Sequence, residues 1–165
     1  MLLLLKNLLF TFLVPGTVAV YVPLLIAGDS TPASGPWSLL ALLLLGIGGG
    51  IYAWCVWDFA RFGRGTPLPA DAPKRLVVRG LYRATRNPMY LGVLTTILGQ
   101  ATLFRSTRVL IYGLGVGACF HAFVVLYEER HLRAEFGEEY LDYCARVGRW
   151  LPHLLPAESG TSPDA

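Results

Sequence analysis

The amino-acid sequence predicts an all-α fold, a polytopic membrane helical bundle with about four transmembrane helices and a C-terminal amphipathic cytoplasmic helix. Three observations predict it. Hydrophobic residues make up 54% of the chain and charged residues only 15%, far from the balance of a soluble domain this short. The apolar residues come in blocks close to the ~20 that a helix needs to cross ~30 Å of hydrocarbon. The basic residues cluster in alternate connections, as they do when short loops stay cytoplasmic.

The first span is Leu8 to Ala27, uncharged throughout. It reads as a retained span rather than a cleaved leader, because it exceeds the usual ~7 to 15 apolar residues and no clear small-x-small site follows. The second is Trp37 to Trp57, also uncharged throughout and long enough to cross. The third, Pro88 to Phe104, is the shortest and the most polar, with Thr95, Thr96, Gln100 and Thr102. Hydroxyl and amide groups facing lipid lack partners, so this span is expected to be buried against the others. The fourth, Val109 to Tyr127, again carries no charge. These spans form one domain over residues 1–156, leaving 157–165 as a disordered tail.

Orientation follows from Lys and Arg. Lys6 precedes span one; Arg61, Arg64, Lys74, Arg75, Arg79, Arg83 and Arg86 lie between spans two and three; Arg130, Arg133, Arg146 and Arg149 follow span four. Only Arg105 and Arg108 lie opposite. Both termini and the central loop are therefore expected in the cytoplasm. The net charge of +3 then reflects topology and attraction to lipid head groups, and calls for no nucleic acid. Cys55, Cys119 and Cys144 form no CxxC or His/Cys cluster, so their expected role is packing, with neither a disulfide framework nor a metal site. Gly46 with Gly50, and Gly113 with Gly117, have the small-residue spacing that lets helices approach closely.

The cytoplasmic segments carry the specific chemistry. In the central loop Pro67, Pro69 and Pro73 rule out one continuous helix. Leu76, Val77 and Val78 follow as a short apolar stretch, and then Gly80-Leu81-Tyr82-Arg83-Ala84-Thr85-Arg86-Asn87-Pro88-Met89-Tyr90-Leu91-Gly92 crowds the mouth of span three. Asn87 suits an N-cap and Pro88 a first helical turn, so this cluster also reads simply as a capped helix with interfacial anchors. Beyond span four, Leu132, Phe136, Tyr140, Tyr143 and Val147 recur at steps of four, four, three and four, the stripe of an amphipathic helix, with Gly137 as a modest interruption. Glu128 and Glu129 sit where span four leaves the hydrocarbon, and acids there are costly to desolvate and often functional. Pairing with Arg130, Arg133 or a loop arginine is the competing reading, chiefly for Glu129.

Gly-Leu-Tyr, Arg-Asn-Pro-x-Tyr-x-Gly, the later Glu128-Glu129 pair, Phe-Gly-Glu-Glu-Tyr-x-x-Tyr and Arg-Trp-Leu-Pro, in that order and spacing, together resemble the isoprenylcysteine carboxyl methyltransferase family, which is related to the phospholipid N-methyltransferases. The resemblance covers roughly residues 65 to 152. It implies a membrane methyltransferase that uses S-adenosylmethionine, with the central loop and C-terminal helix roofing a cofactor pocket. Leu76 and Val77 would contact adenine through their backbones, and Tyr82 with Asn87, Pro88, Met89 and Tyr90 would hold the rest. Glu128 would accept from the ammonium or a ribose hydroxyl and serve as the catalytic carboxylate, with Glu129 beside it. The N–H groups at the start of span three would receive the carboxylate.

The chain departs from the resemblance twice. Most eukaryotic members carry His where Asn87 stands, and Asn cannot titrate. The isoprenylcysteine enzymes place a substrate-gripping arginine one turn before the Glu pair, where this chain has Val124. That argues against a prenylcysteine carboxylate as acceptor and for an amine, thiol or similar group on a lipid-like or small apolar molecule, with Glu128 or His121 as proton acceptor; His121 also reads as a packing residue. Two other readings stay open, an NADPH-dependent enzyme like the membrane sterol reductases and a non-catalytic scaffold of the same fold.

Overall fold

The computed structural model describes residues 13–59, 61 and 76–152. All regular structure among these residues is helical. The start of the first expected span, the prolines of the central loop with Arg64, Lys74 and Arg75, and the expected tail lie outside the described residues.

Helix α1, Thr17–Ala27, opens with a π-helical stretch over Thr17–Tyr21 and ends where Gly28 adopts φ +56°. Pro36 starts α2, Pro36–Asp58, as expected for proline in a first turn. Helix α3, Pro88–Leu103, follows a short 3-10 turn, Gly80–Arg83. Helix α4, Thr107–Phe123, is capped by Ser106, whose Oγ accepts from Val109 N–H. A π-turn, Val124–Glu128, joins it to α5, Glu129–Arg146, so no loop separates the expected fourth span from the expected cytoplasmic helix. The break comes later. Gly137 takes φ +51° and ψ −124°, which only glycine adopts cheaply, so the modest interruption expected there is a kink that leaves the helix altogether.

Two of these units, α2 and the run Thr107–Arg146, are long and apolar enough to cross a membrane by themselves. Only 17% and 11% of their most apolar stretches are buried. A helix at the core of a soluble protein would be mostly covered, so this exposed apolar surface suits lipid. Helices α1 and α3 are shorter and pack against them.

Helices α2 and α3 form the tightest pair. A Cβ on Gly48 would sit 2.5 Å from Thr96 Oγ1 and 2.8 Å from the Gly92 carbonyl oxygen, and one on Gly92 would sit 3.0 Å from the Gly48 carbonyl oxygen. The close approach thus runs through Gly48 and Gly92. Gly46 and Gly50, which have the expected spacing, face open space. Gly113 lies against Ile97, so the second glycine pair does serve packing in part. The polar side chains of α3 find acceptors for their donors, and only the buried Gln100 Oε1 has no partner among the described residues. Thr95, Thr96 and Thr102 donate to carbonyls four residues back. Gln100, buried, donates to the Ala19 carbonyl, and Tyr112 of α4 donates to the Val18 carbonyl at 3.0 Å. Both acceptors lie in the π-helical stretch of α1, where a carbonyl has a second lone pair for a side-chain donor.

Candidate functional site

The apolar stripe of α5 folds back onto the loop that leads into α3. Tyr140, Tyr143 and Val147 are buried together with partly buried Leu76, Val78, Leu132 and Phe136. Tyr143 donates its hydroxyl proton to the Tyr82 carbonyl at 2.7 Å, fixing the 3-10 turn beneath the helix. Gly80 lets that turn approach α2: a Cβ there would lie 2.6 Å from Asp58 Oδ2 and 2.8 Å from Trp54 Nε1, and its φ of +52° suits glycine alone.

The C-terminal segment past α5 closes the other side. The Arg86 N–H donates to the Gly148 carbonyl at 2.9 Å. Thr85 Oγ1 and Asn87 Nδ2 both donate to the Arg149 carbonyl at 3.0 Å. Asn87 does occupy the N-cap position of α3, but its side chain makes no cap bond. Its amide goes to Arg149 instead, because a side chain turned toward a distant segment cannot also reach back to its own first turn. Trp150 donates its indole N–H to His121 Nδ1 at 3.1 Å, which occupies the ring nitrogen of the residue considered above as a proton acceptor.

Between these walls lies a cavity of about 500 Å³, within the ~300–1,000 Å³ usual for small-molecule sites. Leu76, Val77, Tyr82, Asn87, Met89, Tyr90 and Glu128 all line it. Pro88 is buried at the start of α3 and, like Glu129 and His121, is not part of the lining. Glu129 is instead the centre of an ion cluster. Arg149 donates to its two oxygens at 2.7 and 2.9 Å, and Arg86 Nη1 lies 3.0 Å from Oε1. Burial by itself would raise the Glu129 carboxyl; the Arg149 hydrogen bond and the charges of Arg86, Arg149 and Arg133 outweigh it and hold the group below its ordinary value.

Glu128 has the opposite setting. It is the first residue past the uncharged stretch that ends at Tyr127. Tyr90 donates to its Oε2 at 2.8 Å, and no arginine pairs with it among the described residues. Burial pushes its carboxyl up, the Tyr90 bond pulls it down, and Glu129 pushes it up again, leaving it raised. The π-turn over Val124–Glu128 advances the helix by an extra residue just before the acids, which sets the face each one presents. Tyr90 packs against Phe120 at 4.7 Å between ring centroids and against Trp150 at 6.5 Å. Tyr82 meets Phe59 edge-on at 5.6 Å, and burial holds its phenol well above the ordinary value, a neutral donor.

Several lining residues were not singled out from the sequence: Phe120, Phe123, Tyr127 and His131, along with Val14 and Val18 of the first span, while Arg86 was read as part of a motif and given no site role. Phe120, Phe123, Tyr127 and His131 are spaced by three, four and four, so a helical stripe leading to Glu128 was there to be read. Cys119 also lines the cavity, whereas packing was its expected role. Cys55 is buried beside Tyr82 and Val77 as a packing residue.

Residues 37–139 match the family described as phospholipid methyltransferase. Protein-S-isoprenylcysteine O-methyltransferase B of Arabidopsis thaliana is 33% identical over 81 residues, 48% of this chain and 41% of that protein. The matched stretch thus spans less than half the length of that relative.

Proposed function

Since the chain belongs to the phospholipid methyltransferase family, we propose that it transfers methyl groups from S-adenosylmethionine to an amine, thiol or similar protonated group on a lipid-like or small apolar acceptor. On this reading the chain has four spans, near 8–27, 37–57, 88–104 and 109–127, with the cavity at the cytoplasmic end of the bundle; the basic residues of the central loop and C-terminal segment support that orientation. The observation that carries the reading is the Tyr90–Glu128 hydrogen bond inside a cavity lined by seven of the nine residues that the family resemblance assigns to the cofactor.

The wall chemistry fits the cofactor. Among the described residues, Glu128 offers an acceptor unpaired with arginine, aromatic and aliphatic side chains offer a slot for a base, and Arg86 Nε is buried without a hydrogen-bond partner, a donor that an anionic ligand group would satisfy. When bound, S-adenosylmethionine supplies a methyl group on a positively charged sulfur. The chain's own residues have three tasks. The apolar and aromatic walls exclude water and hold the acceptor in line at about 3 Å. Glu128, its carboxyl raised, would take the proton that the acceptor loses on methylation. Tyr90 keeps that carboxylate aimed into the cavity.

The name of the Arabidopsis relative describes an O-methyltransferase of isoprenylcysteine. This chain has Val124, buried, one turn before Glu128, and so lacks a cation at that place to grip an acceptor carboxylate. The test is transfer of labelled methyl into a total lipid extract, a protein fraction and a panel of small thiols and amines. Label is expected in amine- or thiol-bearing lipid or small molecules and is expected to resist mild base. Base-labile methyl ester on a farnesylcysteine analogue as the main product would overturn the acceptor assignment.

A further inference from the structure

Arg86 lines the cavity with only 12% of its side chain exposed. Its Nη1 is shared between Glu129 Oε1 at 3.0 Å and Cys144 Sγ at 2.8 Å, while Nε, also buried, has no partner. Glu129 is already engaged by Arg149 through two hydrogen bonds. Two guanidinium groups therefore share the Glu129 carboxylate, and among the described residues Arg86 Nε is left as a buried donor with no acceptor. A buried donor in that state is costly until an acceptor joins it.

The same corner holds the start of α3. Because Asn87 directs its amide to the Arg149 carbonyl, the N-terminus of α3 has no side-chain cap. First-turn N–H groups have no acceptor within a helix, and Met89 and Tyr90, in that first turn, line the cavity. Four residues after Arg86, Tyr90 bonds to Glu128, the cavity carboxylate that no arginine pairs with among the described residues. Arg86 and Glu128 thus bring a cation and a carboxylate to one cavity.

We propose that Arg86 holds the α-carboxylate of the cofactor's amino-acid end while Glu128 faces its ammonium, which makes Arg86 a cofactor-binding residue and the source of binding orientation. This rests on the reading of the cavity as an S-adenosylmethionine site. The amino-acid end is a zwitterion, and the wall offers one group for each charge. An acceptor anion seated on Arg86 would instead leave the cofactor's own carboxylate against Glu128 and aromatic rings.

The test is isothermal titration of purified protein with S-adenosylhomocysteine and with its decarboxylated analogue, the same thioether bearing hydrogen in place of the carboxylate. Wild type is expected to bind the decarboxylated compound about 10- to 100-fold more weakly, the scale of a lost charged hydrogen bond. In Arg86→Gln that preference should shrink to within about twofold, with S-adenosylhomocysteine weakened and the analogue unaffected. Arg86→Lys, which keeps a charge for Glu129, should fall between and guards against a variant that fails to fold. Equal affinity of wild type for the two compounds overturns the proposal without any variant. So does an undiminished preference in Arg86→Gln or Arg86→Lys, which would assign Arg86 to the Glu129 cluster alone. No binding of S-adenosylhomocysteine to wild type would instead refute the cofactor reading itself.

Discussion

Tyr90→Phe removes one hydroxyl and with it the 2.8 Å bond to Glu128 Oε2. The ring remains to pack against Phe120 at 4.7 Å and Trp150 at 6.5 Å, so the fold should survive. A hydrogen bond to a charged group is worth about 1.5–3 kcal/mol, which at ~1.4 kcal/mol per tenfold predicts a loss in kcat/KM of roughly 10- to 100-fold. The pH profile gives a second readout. Burial raises the Glu128 carboxyl, the Tyr90 bond lowers it and Glu129 raises it. Deleting the one lowering contact lifts the group further, and a base must be ionised to act. The acid limb of kcat/KM should therefore move to higher pH. Initial rates of labelled methyl transfer across pH, for wild type and variant in the same detergent, measure both effects. An unchanged rate together with an unmoved acid limb would refute the assignment of Glu128 as base held by Tyr90.

Gly48→Ala should lower the thermal midpoint in detergent, because the new Cβ would lie 2.7 Å from the Thr96 backbone nitrogen and 2.8 Å from the Gly92 carbonyl oxygen, and overpacking costs about 1–3 kcal/mol. Gly50→Ala, into open space, should leave the midpoint unchanged, and equal behaviour of the two variants would contradict the α2–α3 contact. Glu129 predicts an acid-sensitive element of stability. Its folded carboxyl lies below the ordinary 4.5, so its contribution is present above that value and is lost as pH falls through the lowered one. Glu129→Gln should flatten the fall in thermal midpoint below about pH 4.5; a fall as steep as wild type would assign the acid sensitivity to other groups.

The sequence made the helical elements legible because spans obey strong, local constraints. Uncharged runs ending at Ala27, Trp57 and Phe104 forecast helices that end at Ala27, Asp58 and Leu103, and the stripe from Leu132 to Tyr143 marked the packed face of α5, with Val147 buried beside it in extended chain just past the helix. Its motifs also named the polar side chains Tyr82, Tyr90 and Glu128 of the cavity wall, since these carry chemistry in their own side chains, while much of the apolar wall went unnamed. The errors share a cause. The cap on α3 was read from the local fitness of Asn87, and the glycine contact from spacing within one helix. A carbonyl 62 positions away took the amide, and the position of the partner helix selected Gly48.

What the sequence determined by itself, then, is whatever a residue fixes within its own turn of chain: helical runs, apolar faces, the membership of the motifs. Only the tertiary structure decided that Glu128 and Glu129, adjacent and chemically identical, have opposite settings. The chain turns one into a cavity beside a tyrosine and the other onto Arg86 and Arg149, which lie far from it in sequence on either side. A carboxylate's behaviour is set by burial and by charges within a few ångströms, and those distances exist only after folding.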